Sequence, residues 1–345
     1  MRCRALFLAL LAGCGSKPTP QDRPAGSDKP PVTTPAVPLD ALHNPAIWDA
    51  AVELADAPAA PTRAQLGTVV ATQPAIALAL APDGKKLYAL SAIDSIVAAI
   101  ELATGASEGI DRDPEKRGLP GGLVAGPDGL WWDKQKGDDY TIVHADPANH
   151  VAPATVGVVY GGRGPLAMDG KQLYVGGLRG LDRLDKKTGD IANVGTARAG
   201  VAAFAADADN LYWLELNAAG DSSVRTAKKA GGDPVTVFKS PDVGKAARSL
   251  VLDGATLYWS RGADVVAMPK AGGKVTVVVT SKAIGELAVV GANLYWVEND
   301  EAIGTAPKAG GEAKLLGFAD HAAGLVSDGK TLYWGTPFDV RKLPL

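Results

Sequence analysis

Asp253-Gly254-Ala255-Thr256-Leu257-Tyr258-Trp259 is followed by Asp264-Val265-Val266-Ala267-Met268-Pro269-Lys270-Ala271-Gly272-Gly273 and then Val275-Thr276-Val277-Val278-Val279. The order is a turn, a strand, a second short strand, a Gly-Gly turn and a third strand. Aligned on the aromatic triplet, the unit recurs at Leu87-Tyr88, Leu130-Trp131-Trp132, Leu173-Tyr174, Leu211-Tyr212-Trp213, Leu257-Tyr258-Trp259, Leu294-Tyr295-Trp296 and Leu332-Tyr333-Trp334. The spacings of 43, 43, 38, 46, 37 and 38 residues match a four-stranded propeller blade and not a helical repeat.

Turn signals precede these strands at Asp83-Gly84, Asp128-Gly129, Asp169-Gly170, Asp209-Asn210, Asp253-Gly254, Gly291-Ala292 and Asp328-Gly329. Such pairs adopt positive φ cheaply and join antiparallel strands tightly. Upstream lie small apolar runs, Ala75 to Ala81, Gly122 to Ala125, Val201 to Ala206 and Leu287 to Val290, suited to an innermost strand crowded around an axis. The unbroken Leu-Tyr-Trp suits a strand covered on both faces by neighbouring blades. Third strands end in Lys228-Lys229-Ala230-Gly231-Gly232, Pro269-Lys270-Ala271-Gly272-Gly273 or Pro307-Lys308-Ala309-Gly310-Gly311, with Lys186-Lys187-Thr188-Gly189 a weaker copy. The glycines turn the chain into outer strands such as Pro234 to Phe238.

The last repeat stops one strand short at Leu345, while Thr68-Val69-Val70-Ala71-Thr72 matches the outer strand Thr276-Val277-Val278-Val279-Thr280. The expected architecture is therefore all-β: a seven-bladed propeller of four-stranded antiparallel blades over 61–345. Its N-terminal strand completes the last blade and removes the open edges.

The other end reads differently. Arg2 and Arg4, the apolar run Ala5 to Ala12 and a small-residue approach to Cys14 have the layout of an export signal over 1–13, too short to span a bilayer. Residues 14–40 are proline-rich and almost free of apolar groups, so they predict a disordered tether. Within 41–60, Asn44 caps and Pro45 opens a short helix whose Ile47, Trp48, Ala51, Val52, Leu54 and Ala55 make one apolar face. That helix either docks on the domain or stays exposed on the tether for a partner.

With 35 Lys+Arg against 38 Asp+Glu, nothing points to nucleic acid. Cys3 and Cys14 are the only thiols, which leaves the folded part without a disulfide framework or a Cys-based metal site. His144 and His150 lie near Asp139 and Asp146, but Asp146-Pro147-Ala148-Asn149 reads as a turn that splays them, so a structural or solvated role is expected. Glu286 is the one acid well inside an inner strand, too few oxygens for a hard cation. No HExxH occurs. Cofactor and metal are both expected to be none.

Arg117, Arg163, Arg198 and Arg248 each lie nine to thirteen residues before an aromatic strand, in loops leading to inner strands that share one mouth of a closed ring. The plainer reading is solvated arginines partly neutralised by Asp111, Asp113 and Glu115, and it is preferred. The sharper one is a funnel that attracts a carboxylate, phosphate or sulfated glycan.

Leu11-Ala12-Gly13-Cys14 resembles the lipobox of bacterial lipoproteins, which implies cleavage before Cys14 and its acylation with palmitate-type chains. Two or more chains hold a protein on a membrane. A secretory signal with an incidental cysteine is the plain alternative. Gly15, in place of an Asp that would resemble inner-membrane retention, implies the outer membrane, on its periplasmic or surface face. The repeats resemble YWTD-type propellers and, more closely, bacterial envelope proteins with Leu-Tyr-Trp plus Lys-Ala-Gly-Gly repeats. Where YWTD repeats carry their acid, this chain has Ser91, Lys134, Gly177, Glu215, Arg261, Glu298 and Thr336, so that family's Asp network does not carry over. Propeller antibiotic lyases have a similar layout, but only His321 with Asp320 sits near the axis here.

The expected function is a monomeric, non-enzymatic, lipid-anchored envelope scaffold that binds a protein or polymer partner. One rival is an outer-membrane assembly factor that uses exposed apolar groups such as Leu178, Leu181 or Phe338. The other is an axial-site hydrolase or lyase.

Overall fold

A computed structural model describes residues 64–91, 96–112, 122–136, 139–160, 164–177, 180–194, 200–216, 222–240 and 247–345. The expected signal, tether and helix lie outside these residues, as do Cys14, Arg117, Arg163, Arg198 and Leu178.

The chain forms seven four-stranded antiparallel sheets. From the inner strand outward, blade 1 is Ala77–Leu80, Lys86–Ser91, Ile96–Glu101 and Ser107–Arg112. Blade 2 is Leu123–Gly126, Gly129–Lys136, Asp139–Asp146 and Val151–Tyr160, and blade 3 is Leu166–Met168, Gln172–Gly177, Gly180–Asp185 and Ile191–Asn193. Blade 4 is Gly200–Ala206, Asn210–Leu216, Ser222–Lys228 and Val235–Lys239, and blade 5 is Ala247–Asp253, Thr256–Arg261, Asp264–Pro269 and Thr276–Thr280. Blade 6 is Ile284–Val290, Asn293–Glu298, Ala302–Pro307 and Lys314–Phe318. Blade 7 joins Ala323–Ser327, Thr331–Gly335 and Val340–Pro344 to the N-terminal strand Thr68–Ala71.

Each inner strand meets the inner strand of the next blade, and the last meets the first, so the ring closes. The expected seal is therefore present: Thr68 pairs with Lys342 and Val69 with Arg341. Arg341 also donates to the carbonyls of Leu66 and Gly67, which fixes the direction from which the N-terminal chain arrives.

Packing explains why the aromatic strand lacks polar alternation. The seven leucines that open the triplets, from Leu87 to Leu332, are each 0% exposed, and the following aromatics fill the seams between blades. Tyr212 and Trp259, for example, share a cluster across the blade 4/5 seam, and Tyr258 and Trp296 one across the 5/6 seam. One such aromatic buries about 150–250 Å², roughly 4–6 kcal/mol of gross burial as an upper bound.

The seal demands a glycine. Gly67 has φ +74°, and a Cβ there would meet the Lys342 carbonyl and the Trp334 ring. Gly84, in the blade 1 turn, has φ +67° with open space around it. Gly84→Ala should therefore cost about 1 kcal/mol, and Gly67→Ala about 2 kcal/mol or more, lowering Tm by about 4–8 °C. Thermal unfolding followed by circular dichroism compares the two, and equal losses would contradict a seal packed at Gly67.

Candidate functional site

Strand connectivity sorts the polar residues onto two ends of the ring. Hairpins from inner to second strand and from third to outer strand share one end. Hairpins from second to third strand and the links between blades share the other, the mouth.

At the hairpin end, one device recurs. An aspartate five residues before the strand tyrosine accepts turn N–H groups with one oxygen and the tyrosine hydroxyl with the other. Asp169 holds Tyr174, Asp207 holds Tyr212 and Asp328 holds Tyr333, at 3.0–3.1 Å. In blade 4 this role falls to Asp207 and not to the expected turn pair Asp209-Asn210, because Asn210 already begins the second strand. The spacing to the tyrosine, and not the Asp-Gly dipeptide, is what repeats.

The lysine of Lys-Ala-Gly-Gly then reaches back to the aspartate of the preceding blade. Lys186 pairs with Asp128 at 2.7 Å, Lys229 with Asp169 at 3.2 Å, Lys270 with Asp207 at 2.7 Å and Lys308 with Asp253 at 2.6 Å. The motif is thus a blade-to-blade clasp as well as a turn. At 6/7 both partners are replaced, by Val290 at the aspartate place and by Leu345 where a blade 7 lysine would stand, making the same backbone bond as the lysines; blade 7 keeps Asp328 although blade 1 has Leu102 at the lysine place. Blade 2 has Pro147 there, which has no N–H, and its Asp146 caps a single 3-10 turn by accepting from Asn149.

Histidines and acids singled out in the sequence are placed as follows. The His144 ring lies on Trp131, centroids 4.2 Å apart, and Nε2 donates to the Asp128 carbonyl at 2.7 Å. His150 follows the 3-10 turn in a left-handed conformation. The structure does not bring the two together on a common ligand. Glu215 and Glu298, at the YWTD acid position, accept from the indole N–H of Trp213 and Trp296 in their own strands at 3.0 and 3.2 Å. Glu215 also pairs with Arg225 at 2.9 Å.

At the mouth, Arg248 is exposed and is the second residue of its inner strand, not part of a loop as expected. A bulge between Ala247 and Leu250 extends the strand past it. The bulge also turns the next residue, Ser249, toward blade 6, where its hydroxyl accepts from Leu287 N at 3.1 Å. Glu286 occupies the same place one blade on, and its carboxylate accepts from Leu325 N at 2.8 Å. Burial pushes the Glu286 pKa up against the opposing pull of the Leu325 and Gly324 N–H groups, with Asp300 nearby adding to the rise. This carboxylate is a blade-to-blade acceptor. His321 lies 3.7 Å from Asp320 and has φ 47°.

Among the described residues no group of three or more His, Cys, Asp or Glu could hold a metal, and no helix is long and apolar enough to cross a membrane. Leu181, expected to be an exposed contact, is 1% exposed inside the blade 3/4 seam, because its partner strand turns it inward. Phe338 is half-buried.

The rim carries the exposed aliphatics. Val277, Leu315 and Val69 stand at one register position on the outer strands of blades 5, 6 and 7, exposed by 54%, 56% and 45%. Two clefts open beside Leu315 and Leu316. One, of about 620 Å³, lies where the 6/7 clasp is missing, lined by Tyr295, Thr305, Leu316, Leu343 and Leu345. The other, of about 610 Å³, is lined by Ala64, Lys282, Glu298, Leu315 and Phe318.

Neither a protein-family model nor a curated protein matches this chain. Solved structures share its fold. A streptogramin B lyase has a TM-score of 0.64 at 8% identity, over 81% of this chain and 96% of that one. Hydrazine synthase from Kuenenia stuttgartiensis has 0.63 at 15%, over 83% and 99%. BamB from Moraxella catarrhalis has 0.54 at 16%, over 80% and 82%. At such identities the likeness is one of fold alone.

Two measurements test these roles. Burial pushes the Asp169 carboxyl up, but the Lys171 and Gln172 N–H groups, the Tyr174 hydroxyl and Lys229 outweigh it and hold it at about 2. An unfolded aspartate titrates near 3.9, so Asp169 adds stability above about pH 4 that is lost as the pH falls toward 2. Urea unfolding of the parent should weaken over that window more steeply than that of Asp169→Asn. Glu286→Ala leaves blade 7 N–H groups without an acceptor and should cost about 1–3 kcal/mol, whereas Glu286→Gln, which keeps an acceptor, should cost less. Equal losses would remove the acceptor role.

Proposed function

We propose that the chain is an acylated cell-envelope lipoprotein with YWTD-like repeats, whose propeller is a non-enzymatic scaffold for a protein or polymer partner. The observation that carries this reading is what the reactive side chains do. Glu215, Glu286, Glu298 and His144 are engaged with tryptophan, backbone or the next blade. The aliphatics Val69 and Val277 stand free on the rim. A scaffold needs stiff blades and an uncommitted surface, and this division provides both.

Lipid attachment at Cys14 rests on Leu11-Ala12-Gly13-Cys14 and the proline-rich residues behind it. The outer membrane is the proposed location. The fold shared with Moraxella BamB suits the assembly-factor form of the same reading, in which the partner is another envelope protein. An anionic ligand at the mouth would be drawn by Arg117, Arg163, Arg198 and the exposed Arg248.

An alkyne-bearing fatty acid fed to cells making the full chain should label it, and Cys14→Ser should abolish the label and move the protein from the membrane to the soluble fraction. Unchanged sedimentation would sink the anchor. On a sulfated polysaccharide column, replacing the four arginines with serine should lower the salt needed for elution. Identical elution would leave the arginines as solvated surface.

A further inference from the structure

We infer that residues 44–55 dock as an amphipathic helix on the outer strand of blade 6, covering Leu315 and the cleft that Ala64 enters. The inference is independent of lipid attachment.

The described chain begins at this spot. Leu66 N donates to the Phe318 carbonyl at 2.6 Å, and Asp320 N donates to the Gln65 side chain at 3.1 Å. Gly317 has room for Leu66 because it lacks a Cβ, which would come within 3.0 Å of the Leu66 side chain. Ala64 then lines the cleft with Leu315, Phe318, Ala302 and Lys282. The preceding chain therefore leaves from blade 6, at the edge of an apolar opening and beside a leucine that is 56% exposed.

Reach confines what comes before. Asp56 to Arg63 contains Pro58 and Pro61, and eight extended residues span at most about 26–29 Å. A twelve-residue helix over 44–55 is about 18 Å long, comparable with the five-residue outer strand it would cover. Helices of that length are marginal alone in water, so an amphipathic one needs a surface to hold it. Ile47, Trp48, Ala51, Val52, Leu54 and Ala55 supply the apolar stripe, and a tryptophan buries about 150–250 Å². Val277 on blade 5 and Val69 on blade 7 flank Leu315 at the same register, so the apolar strip continues to either side.

The full chain labelled with 5-fluorotryptophan tests this. Its seven tryptophans give seven fluorine resonances, and Trp48→Phe identifies one. In the parent, the Trp48 resonance should show little shift between H2O and D2O, as expected of a shielded ring. Leu315→Asp should give it the shift of a solvent-exposed ring while leaving the other six in place, which also reports that the propeller is folded. Val151→Asp, at an exposed valine on blade 2, should leave all seven unchanged. A Trp48 ring that is exposed in the parent, one that ignores Leu315→Asp, or one shielded only after vesicles or a partner protein are added would each overturn the inference.

Discussion

A ring of blades has one constraint that a linear stack lacks: the last sheet must meet the first, so every seam has to be sealed and none can be left as a cap. Apolar packing is common to all seven blades, since the leucine that opens each aromatic triplet is fully buried. Polar contacts differ from seam to seam. Lysine-aspartate clasps bridge 2/3, 3/4, 4/5 and 5/6. Inner-strand bulges bridge 5/6 through Ser249 and 6/7 through Glu286. Lys134 reaches Asp111 across 1/2 at 3.3 Å. At 7/1 the bulge residues are Gly324 and Leu325, and a Cβ on Gly324 would lie 2.7 Å from Leu78 N, so backbone itself comes close. Ala75 N adds a bond to the Thr336 carbonyl across the same seam.

The two kinds of contact overlap only at 5/6, which explains the shape of the surface. A half-exposed ion pair contributes little stability by itself, about 0–1 kcal/mol. What it does here is occupy the groove between hairpins, with the lysine ammonium over an aromatic ring, as Lys229 Nζ is over Tyr174 at 5.8 Å from its centroid. Where Val290 and Leu345 replace the pair, the groove stays open and becomes the 6/7 cleft. An absent contact in a repeat array is thus as informative as a present one. Asp328 persists without a lysine partner in its clasp position because it still holds its own turn and Tyr333.

Blade number, strand order and ring closure were legible because they rest on short-range signals: a turn and a buried aromatic strand repeated seven times, with a second glycine turn in most blades. Thr68–Ala71 could be matched to the last blade because it shares the Thr-Val-Val pattern of Thr276–Thr280. A structural role for His144 was legible. That Glu215 and Glu298 would bind their own strand's tryptophan was not, because two residues along a strand share a face, and composition does not say which polar atom turns toward which ring. The clasps were missed for a different reason. Lys270 and Asp207 are 63 residues apart, a separation that matters only once blades 4 and 5 are known to touch. The signal was available in retrospect, since the lysine before Ala-Gly-Gly is constant in three blades while a turn needs only the glycines. Arg248 was assigned to a loop because a two-residue bulge breaks the strand pattern without ending the strand.

These assignments narrow where function can reside. Positions that bridge the seams serve the ring, and Asp207, Lys270 or Glu286 cannot be released for chemistry without opening a seam. Blades 5 to 7 share three other features: the aliphatic row at one register, the 6/7 cleft, and the arrival of the N-terminal chain at Ala64. Seven outer strands with equal hydrogen-bonding capacity would be equally open to pairing with another chain. Here the outer strands adjoin clefts of different lining, and only blade 7 has its outer strand supplied by a distant segment. The ring's symmetry is therefore broken at the same sector that closes it, so the residues that seal the propeller also decide which part of its rim is available for contact.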